Sequence, residues 1–268
     1  MRKRFDLVGL AILLTTALLP ATAARAETVN TILLLHGAFA DGSSWDAVVP
    51  LLQSKGFKVV AVQLPLTGLA EDVAATKRAI DAQQGAVLLV GHSYAGVVIT
   101  EAGNSDKVAG LVYVAAFAPG DKESVNDLGK GKPAPAWAPK LQVDSGGYAW
   151  LTPELVATSF APDVLPPVQN LIGVKQKPIL LKSFDAKVTK AAWKTKPSWY
   201  VRAEQDKMID PAAQAAMAKR INATTTNIMT SHVPMLAKPN DVAAVILTAA
   251  QSKPAPAKPA PASAPAKK

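Results

Sequence analysis

The sequence contains no cysteine, and this absence removes a whole group of chemistries. A chain without thiols has no disulfide framework, no cysteine-ligated zinc or iron–sulfur site, no thiol nucleophile and no lipid anchor on cysteine. Histidine is also scarce, with three residues, and aromatic residues make up only 6%. A histidine base for catalysis therefore has very few candidates.

Charged residues are few as well, at 18%, whereas hydrophobic residues make up 49% of the 268 residues. This composition is typical of a globular protein and excludes a disordered one. The excess of 29 Lys and Arg over 20 Asp and Glu would suit a nucleic-acid binder. Most of that excess lies at the two ends of the chain, and no basic stripe with interleaved aromatic residues remains between them. We therefore expect no nucleic-acid partner.

Residues 1–26 have the organisation of a secretory signal peptide. Arg2-Lys3-Arg4 precedes an apolar run of 13 residues, Leu7 to Leu19, and Ala24-Arg25-Ala26 places small residues at a cleavage site. The run is shorter than the roughly 20 residues of a membrane span. We expect an exported protein, periplasmic or secreted, that begins at Glu27 and has no transmembrane span after cleavage.

The other end of the chain, residues 253–268, contains only Lys, Pro, Ala and one Ser. None of these side chains builds a core, and the prolines favour an extended conformation, so we predict a disordered tail. Its four lysines suit weak contact with an anionic envelope surface.

The segment 27–252 is long enough for one large hydrophobic core. Short runs rich in Val, Ile and Leu alternate with helical patterns, which predicts a doubly wound α/β domain with a mostly parallel sheet of about six strands. The predicted strands are Thr31–Leu35, Lys58–Gln63, Ala86–Val90, Val108–Ala115, Ser198–Ala203 and Thr225–Thr230. The predicted helices are Ser44–Lys55, Leu69–Gln83, Tyr94–Asn104, Pro211–Ile221 and Asn240–Gln251.

The alternation is interrupted once, between Pro119 and Pro197. This stretch is too long for a plain connection, so we predict a cap, about residues 120–196, inserted after the strand near residues 108–115. Its aromatic residues either line a pocket or attach the cap to the sheet. They are Trp137, Trp150, Phe160, Phe184 and Trp193.

A candidate nucleophile follows the strand Ala86–Val90, in Gly91-His92-Ser93-Tyr94-Ala95-Gly96. A serine at a sharp strand-to-helix turn exposes its hydroxyl group, and small neighbours let the backbone pack tightly there. The usual pattern has glycine two residues after the serine, and Ala95 departs from it by one methyl group. We predict that Ser93 is a nucleophile; a serine that only caps the helix is the alternative.

A serine nucleophile needs a base. His232 follows the last predicted strand, so it should lie at the carboxyl edge of the sheet, where ligands bind in folds of this kind. His36 and His92 compete for the role, but both lie in glycine turns, where shaping the backbone is the simpler function.

The base in turn needs a carboxylate that fixes its tautomer. Asp206 follows the strand Ser198–Ala203, and the chain order Ser93, Asp206, His232 is the one expected of this architecture. Three other carboxylates remain alternatives: Glu204, Asp210 and Asp121.

Two backbone N–H groups should stabilise the oxyanion of a tetrahedral intermediate. Tyr94 follows the nucleophile and begins a helix, whose positive end favours negative charge. The second donor should come from the loop after the first strand, with Ala38 favoured over Phe39. This glycine-containing loop lacks the spacing and the lysine of a phosphate-binding loop.

Together these residues resemble the α/β-hydrolase fold, and within it the bacterial esterase-like relatives of plant methyl-ester esterases and hydroxynitrile lyases. The resemblance covers about residues 30–250 and rests on HGAFADGSSW, GHSYAG, LVYVAAFAPG, AEQDKMI and SHVPML, in that order. It implies a nucleophile, an acid, a base and two oxyanion donors at Ser93, Asp206, His232, Ala38 and Tyr94.

Two departures from the lyases bear on the expected activity. The lyases of this group carry lysine directly after the catalytic histidine, where this chain has Val233, and threonine where it has Gly37. Ester hydrolysis is therefore favoured over lyase chemistry. Ser93 also argues against epoxide hydrolases and dehalogenases, which use an aspartate nucleophile.

The sequence thus predicts a serine hydrolase that cleaves carboxylic esters of small to medium apolar substrates through an acyl-enzyme, without metal or cofactor. A lactonase or a thioesterase would use the same triad and differ in the cap pocket. A non-catalytic protein of this fold that only holds a ligand is the alternative from another class.

Overall fold

The computed structural model of the protein describes residues 28–252. The predicted signal peptide and the predicted tail lie outside the described residues, so they and the export of the protein stay predictions. Among the residues described, no helix combines the length and the apolar character that crossing a membrane requires.

The central sheet confirms the predicted α/β architecture. Its six strands lie in the order β2 (Lys58–Val62), β1 (Val29–Leu35), β3 (Ala86–His92), β4 (Val108–Val114), β8 (Ser198–Ala203) and β9 (Thr224–Ile228), and every neighbouring pair is parallel. The inner strands are apolar runs that helices cover on both faces, which is why they do not alternate between apolar and polar residues. Strands in the described residues are β1 Val29–Leu35, β2 Lys58–Val62, β3 Ala86–His92, β4 Val108–Val114, β5 Gln142–Val143, β6 Tyr148–Trp150, β7 Ile179–Leu180, β8 Ser198–Ala203 and β9 Thr224–Ile228.

The helices follow the strands in the expected alternation, with one correction. The predicted helix Ser44–Lys55 is wrong: Gly42–Trp45 forms a 3-10 turn capped by the Asp41 side chain, and a separate helix begins only at Val49. Pro50 has no N–H to donate to the preceding turn, so it suits the first turn of that second helix. The helices are α1 Val49–Gln53, α2 Leu69–Asp81, α3 Ala95–Ala102, α4 Val125–Leu128, α5 Pro153–Leu155, α6 Pro166–Lys175, α7 Pro211–Arg220, α8 Pro234–Ala237 and α9 Pro239–Gln251.

The long interruption between β4 and β8, residues 119–197, is called the cap below, and the rest of the described chain is called the body. The cap contains α4, α5, α6 and a small antiparallel sheet of order β5-β6-β7. Its strands are two or three residues long, and no residue of α6 is buried. The cap joins the hydrophobic core through buried residues outside α6, among them Leu155, Phe160 and Val188.

The carboxyl ends of the parallel strands gather the candidate residues at one edge of the body. His36 follows β1, Ser93 follows β3, and Asp206 follows β8. The last strand ends at Ile228, two residues earlier than predicted, and the chain then turns so that His232 comes back over this edge. The fold thus brings together residues that are more than 100 positions apart in the sequence.

Candidate active site

The turn between β3 and α3 holds Ser93 in a strained conformation. Its φ of 53° lies in the left-handed region, which non-glycine residues rarely adopt. A Cβ atom at Gly91 would lie 2.7 Å from the carbonyl oxygen of Ala95, and one at Gly96 would collide with the carbonyl oxygen of Phe117. The turn thus needs glycine at positions 91 and 96, whereas the methyl group of Ala95 is accommodated inside the core.

Three of the predicted residues meet at this turn. The Oγ atom of Ser93 lies 2.8 Å from Nε2 of His232, and Nδ1 of the same imidazole lies 2.7 Å from Oδ2 of Asp206. Because a carboxylate only accepts hydrogen bonds, Nδ1 carries the proton and Nε2 accepts from the serine hydroxyl. All three residues are buried, with 6%, 1% and 4% of their surface exposed in the order Ser93, His232, Asp206.

The other carboxylates that the sequence left open lie elsewhere. Asp210 caps α7 through the N–H groups of Ala212 and Ala213, and Glu204 pairs with Arg202. Asp121 pairs with a lysine on the surface of the cap. Each therefore has a structural partner of its own, and Asp206 is the carboxylate that reaches the imidazole.

The loop after β1 packs directly onto the nucleophile turn. A Cβ atom at Gly37 would lie 2.7 Å from Cβ of Ser93, so this position has no room for a side chain. Within residues 28–252, the N–H groups of Ala38, Phe39 and Tyr94 donate to no other protein group. Tyr94 and one residue of this loop are thus available as oxyanion donors, and the preference for Ala38 over Phe39 stays a prediction.

The two competing histidines have structural contacts. His36 accepts a hydrogen bond at Nε2 from the Leu64 N–H (3.0 Å) and donates from Nδ1 to the carbonyl of Gly37 (3.0 Å). His92 donates from Nε2 to the backbone carbonyl of His232 (2.8 Å). Burial lowers the pKa of His36 to about 4 and the pKa of His92 well below its ordinary value. Both are therefore neutral near pH 7 and hold the backbone of the site.

A buried carboxylate beside the site was not predicted from the sequence. Asp72, in the first turn of α2, accepts from the Tyr94 hydroxyl (2.9 Å) and from the Leu66 N–H (2.7 Å). Burial raises its pKa to about 6. Acidic residues are common in the first turn of a helix, so the sequence position of Asp72 gave no sign that it bonds to Tyr94 beside the nucleophile.

The cap closes the site with aromatic side chains. The ring of Phe160 packs edge-on against His232, with ring centres 5.3 Å apart, and Trp137 packs against Phe39 at 6.5 Å. Phe39 and Phe160 also line a mostly apolar cavity of about 200 Å³ that extends beneath α6. A larger groove of about 560 Å³ lies between β9 and α9, away from the nucleophile.

The other three aromatic residues of the cap have different partners. Trp193 donates to the carbonyl of Pro119 (2.7 Å), and Trp150 donates to Gln142 (2.5 Å) inside the small sheet. Phe184 packs against the buried ring of Tyr94, with ring centres 5.8 Å apart. Of the aromatic residues singled out in the cap, Phe160 and Trp137 thus stand at the site. Phe184 attaches the cap to the body, as does Trp193, whose ring centre lies 5.8 Å from the guanidinium of Arg220 in α7. Trp150 stabilises the cap itself.

As for metals, the residues between 28 and 252 contain no cluster of three or more His, Asp or Glu side chains placed to hold an ion. A hydroxyl, an imidazole and a carboxylate in line, with backbone donors beside the hydroxyl, are the components of nucleophilic acyl transfer.

Comparison with known proteins gives the same architecture. The chain is 36% identical over 110 residues to a pyrethroid hydrolase of Sphingobium wenxiniae, a match that covers 35% of this chain and 39% of that protein. It is 29% identical over 245 residues to the alpha/beta hydrolase nvfD of Aspergillus novofumigatus, covering 82% and 96% of the two chains.

Solved structures extend the comparison. A pyrethroid hydrolase from Sphingobium faniae superposes with a TM-score of 0.74 at 25% identity, over 84% of this chain and 98% of that chain. Polyneuridine aldehyde esterase superposes with a TM-score of 0.72 at 19% identity, over 82% and 98%, which shows a shared fold. The model of the alpha/beta hydrolase family matches residues 32–245, and the chain therefore belongs to that family.

Proposed function

We propose that the protein is a serine hydrolase that cleaves carboxylic esters of apolar substrates through an acyl-enzyme. The observation that supports it most is the continuous hydrogen-bonded line from the Ser93 hydroxyl through His232 to Asp206, buried beneath the cap. The relatives named pyrethroid hydrolases point to the same bond type, since pyrethroids are apolar esters.

In the proposed reaction, Oγ of Ser93 attacks the ester carbonyl carbon while Nε2 of His232 takes the hydroxyl proton. Asp206 stabilises the imidazolium that forms. The N–H groups of Tyr94 and Ala38 bind the oxyanion, and the imidazolium then protonates the leaving alcohol. Water, activated by the same imidazole, hydrolyses the acyl-serine and restores the enzyme.

The loop after β1 supports hydrolysis over the lyase chemistry of some relatives. The space at Gly37 is too small for the threonine of the hydroxynitrile lyases unless the loop moves away from Ser93. The residue after His232 is the buried, apolar Val233, which supplies no positive charge. The cavity lined by Phe39 and Phe160 suits an apolar acyl or alcohol group.

The test is the hydrolysis of p-nitrophenyl esters from acetate to long acyl chains, together with a pyrethroid ester. Ser93→Ala should lower kcat/KM by at least about a thousandfold, because the nucleophile is lost. Ser198→Ala is the matched control, since this buried serine lies at the opposite end of β8 and should leave the rate unchanged.

Labelling with a fluorophosphonate probe separates this proposal from a binding protein of the same fold. The folded wild-type chain should be labelled and Ser93→Ala should not. An esterase rate that survives in Ser93→Ala, or a folded wild-type chain that neither turns over any ester nor takes the label, would overturn the proposal.

A further inference from the structure

Gln214 is a fully buried polar residue on α7, one turn into the helix that follows Asp206. Its Oε1 atom accepts from the N–H of Ala203 (3.0 Å), at the end of β8. Its Nε2 atom donates to Oδ2 of Asp206 (2.7 Å) and to the carbonyl of Ile209 (2.9 Å). Because the Ala203 N–H requires an acceptor, the orientation of the amide is fixed and its donors face the carboxylate.

The surroundings of Asp206 show what this donor does. Oδ1 accepts from the N–H groups of Met208 (2.7 Å) and Ile209 (3.0 Å). Oδ2 accepts from Nδ1 of His232 and from Gln214, both at 2.7 Å. Each oxygen thus accepts two hydrogen bonds, and together these four contacts hold the carboxylate in one orientation.

If Gln214 bonded only to the backbone, to the N–H of Ala203 and the carbonyl of Ile209, a purely structural role would explain its burial. However, Nε2 of Gln214 also donates to Oδ2 of Asp206, the same oxygen that bonds to His232. Rotation of the Asp206 carboxylate would therefore break a contact with α7 as well as the contact with His232. We infer that Gln214 is a positioning residue for the reaction: its amide fixes the carboxylate of Asp206 against His232. This inference rests on the proposed function, because it assigns the amide to the same triad.

The decisive variant is Gln214→Glu, which keeps the size and shape of the side chain. At low pH the new carboxyl group carries a proton and still donates to Asp206. At higher pH the proton leaves, two carboxylates face each other at hydrogen-bond distance, and they repel. The kcat of Gln214→Glu should therefore approach that of the wild type at the acidic end and fall progressively below it as the pH rises.

A second variant, Gln214→Met, removes the donor at every pH. Loss of a hydrogen bond to a charged group should lower kcat by roughly 10- to 100-fold with little change in KM. In an Asp206→Asn background the same substitution should have a much smaller effect, because its target carboxylate is absent.

Gln83→Glu is the matched control. Gln83 is also buried and donates to a backbone carbonyl, but it lies after α2, at the amino edge of the sheet. Its pH profile should follow the wild type, and thermal unfolding of each variant shows that it is folded. If Ser93→Ala is inactive while Gln214→Glu follows the wild-type pH profile, the proposed function stands and the role of Gln214 is wrong. If Gln214→Met lowers kcat by the same factor in the wild type and in the Asp206→Asn background, the inference is also wrong.

Discussion

The body and the cap border the same site but are built differently. In the body, β3 is buried at every position, and each neighbour pairs with it over most of its length, with one register shift near the amino end. In the cap, the strands have two or three residues and α6 buries none of its own. The atoms of the proposed reaction belong to the body, where moving a tightly packed residue costs free energy of folding. The cap supplies Phe160 and Trp137 as walls of the site. We therefore expect the body to determine the chemistry and the residues of the cap that border the site to influence substrate choice.

The same substitution in both regions gives the largest expected contrast. Gly96 in α3 has no room for a methyl group, because a Cβ atom there collides with the carbonyl of Phe117. Gly173 in α6 of the cap has open space around it. Gly96→Ala should lower the free energy of unfolding by about 3 kcal/mol and abolish activity. Gly173→Ala should raise it by roughly 0.5–1 kcal/mol, because alanine favours the helix.

Urea unfolding and ester hydrolysis of the two variants measure this contrast. A Gly96→Ala protein as stable as the wild type would mean that the nucleophile turn moves easily, and the distinction between body and cap would be lost.

Buried titratable groups extend the comparison between body and cap to the pH dependence of stability. Burial in the body raises the pKa of Asp72 from 3.8 to about 6, so its folded state binds the proton more tightly and its contribution to stability is lost as the pH rises from about 4 through 6. His36 has the opposite sign: burial lowers its pKa from 6.5 to about 4, and its contribution is lost as the pH falls over the same window. The two effects partly cancel in the wild type.

Asp72→Asn should remove the Asp72 effect and leave that of His36. The free energy of unfolding should then decrease more steeply on acidification from pH 7 to pH 4, with an added loss of roughly 2–3 kcal/mol relative to the wild type. Asp127→Asn is the control from the cap. Nζ of Lys130 lies 2.5 Å from Oδ1 of Asp127 and holds the pKa of this carboxyl below its ordinary value. The contribution of Asp127 to stability is therefore lost only below about pH 4. Urea unfolding at several pH values measures the slopes, and equal slopes for Asp72→Asn and the wild type would contradict the expectation.

The sequence predicted the body far better than the cap, for physical reasons. Each inner strand is a run of Val, Ile and Leu, and such a run needs no knowledge of its neighbours to be recognised. The predicted helix Ser44–Lys55 failed because a local contact, the Asp41 side chain on the turn that follows it, competes with the helical pattern. The cap has too few apolar residues in any regular spacing for its short strands to be recognised.

The candidate site divides in the same way. Ser93, Asp206 and His232 each follow a recognisable strand, so their meeting at one edge could be predicted. Asp72 and Gln214 could not, because their role depends on which face of a helix turns toward the site, and both lie in helices whose other residues gave no sign of it. Residues that position a reacting group are found only once the packing is known.

A hydrogen-bonded contact between the cap and the loop that carries His232 tests how separate the two regions are. Asp163, an exposed residue of the cap, accepts hydrogen bonds from the N–H (2.7 Å) and the hydroxyl of Ser231, the residue before His232. Asp163→Ala should lower kcat by about fivefold, as expected for the loss of roughly 1 kcal/mol of hydrogen bonding that holds the histidine loop.

Asp185→Ala is the matched control, because this exposed carboxylate also lies in the cap and accepts from Asn126, away from the site. Steady-state kinetics with one p-nitrophenyl ester should show a lower kcat for Asp163→Ala and an unchanged kcat for Asp185→Ala. If Asp163→Ala instead changes KM alone, the cap acts only on substrate binding, and the division between a reacting body and a selecting cap is sharper than this contact suggests. An equal loss in both variants would mean that cap stability in general, and not the contact with Ser231, controls the position of the base.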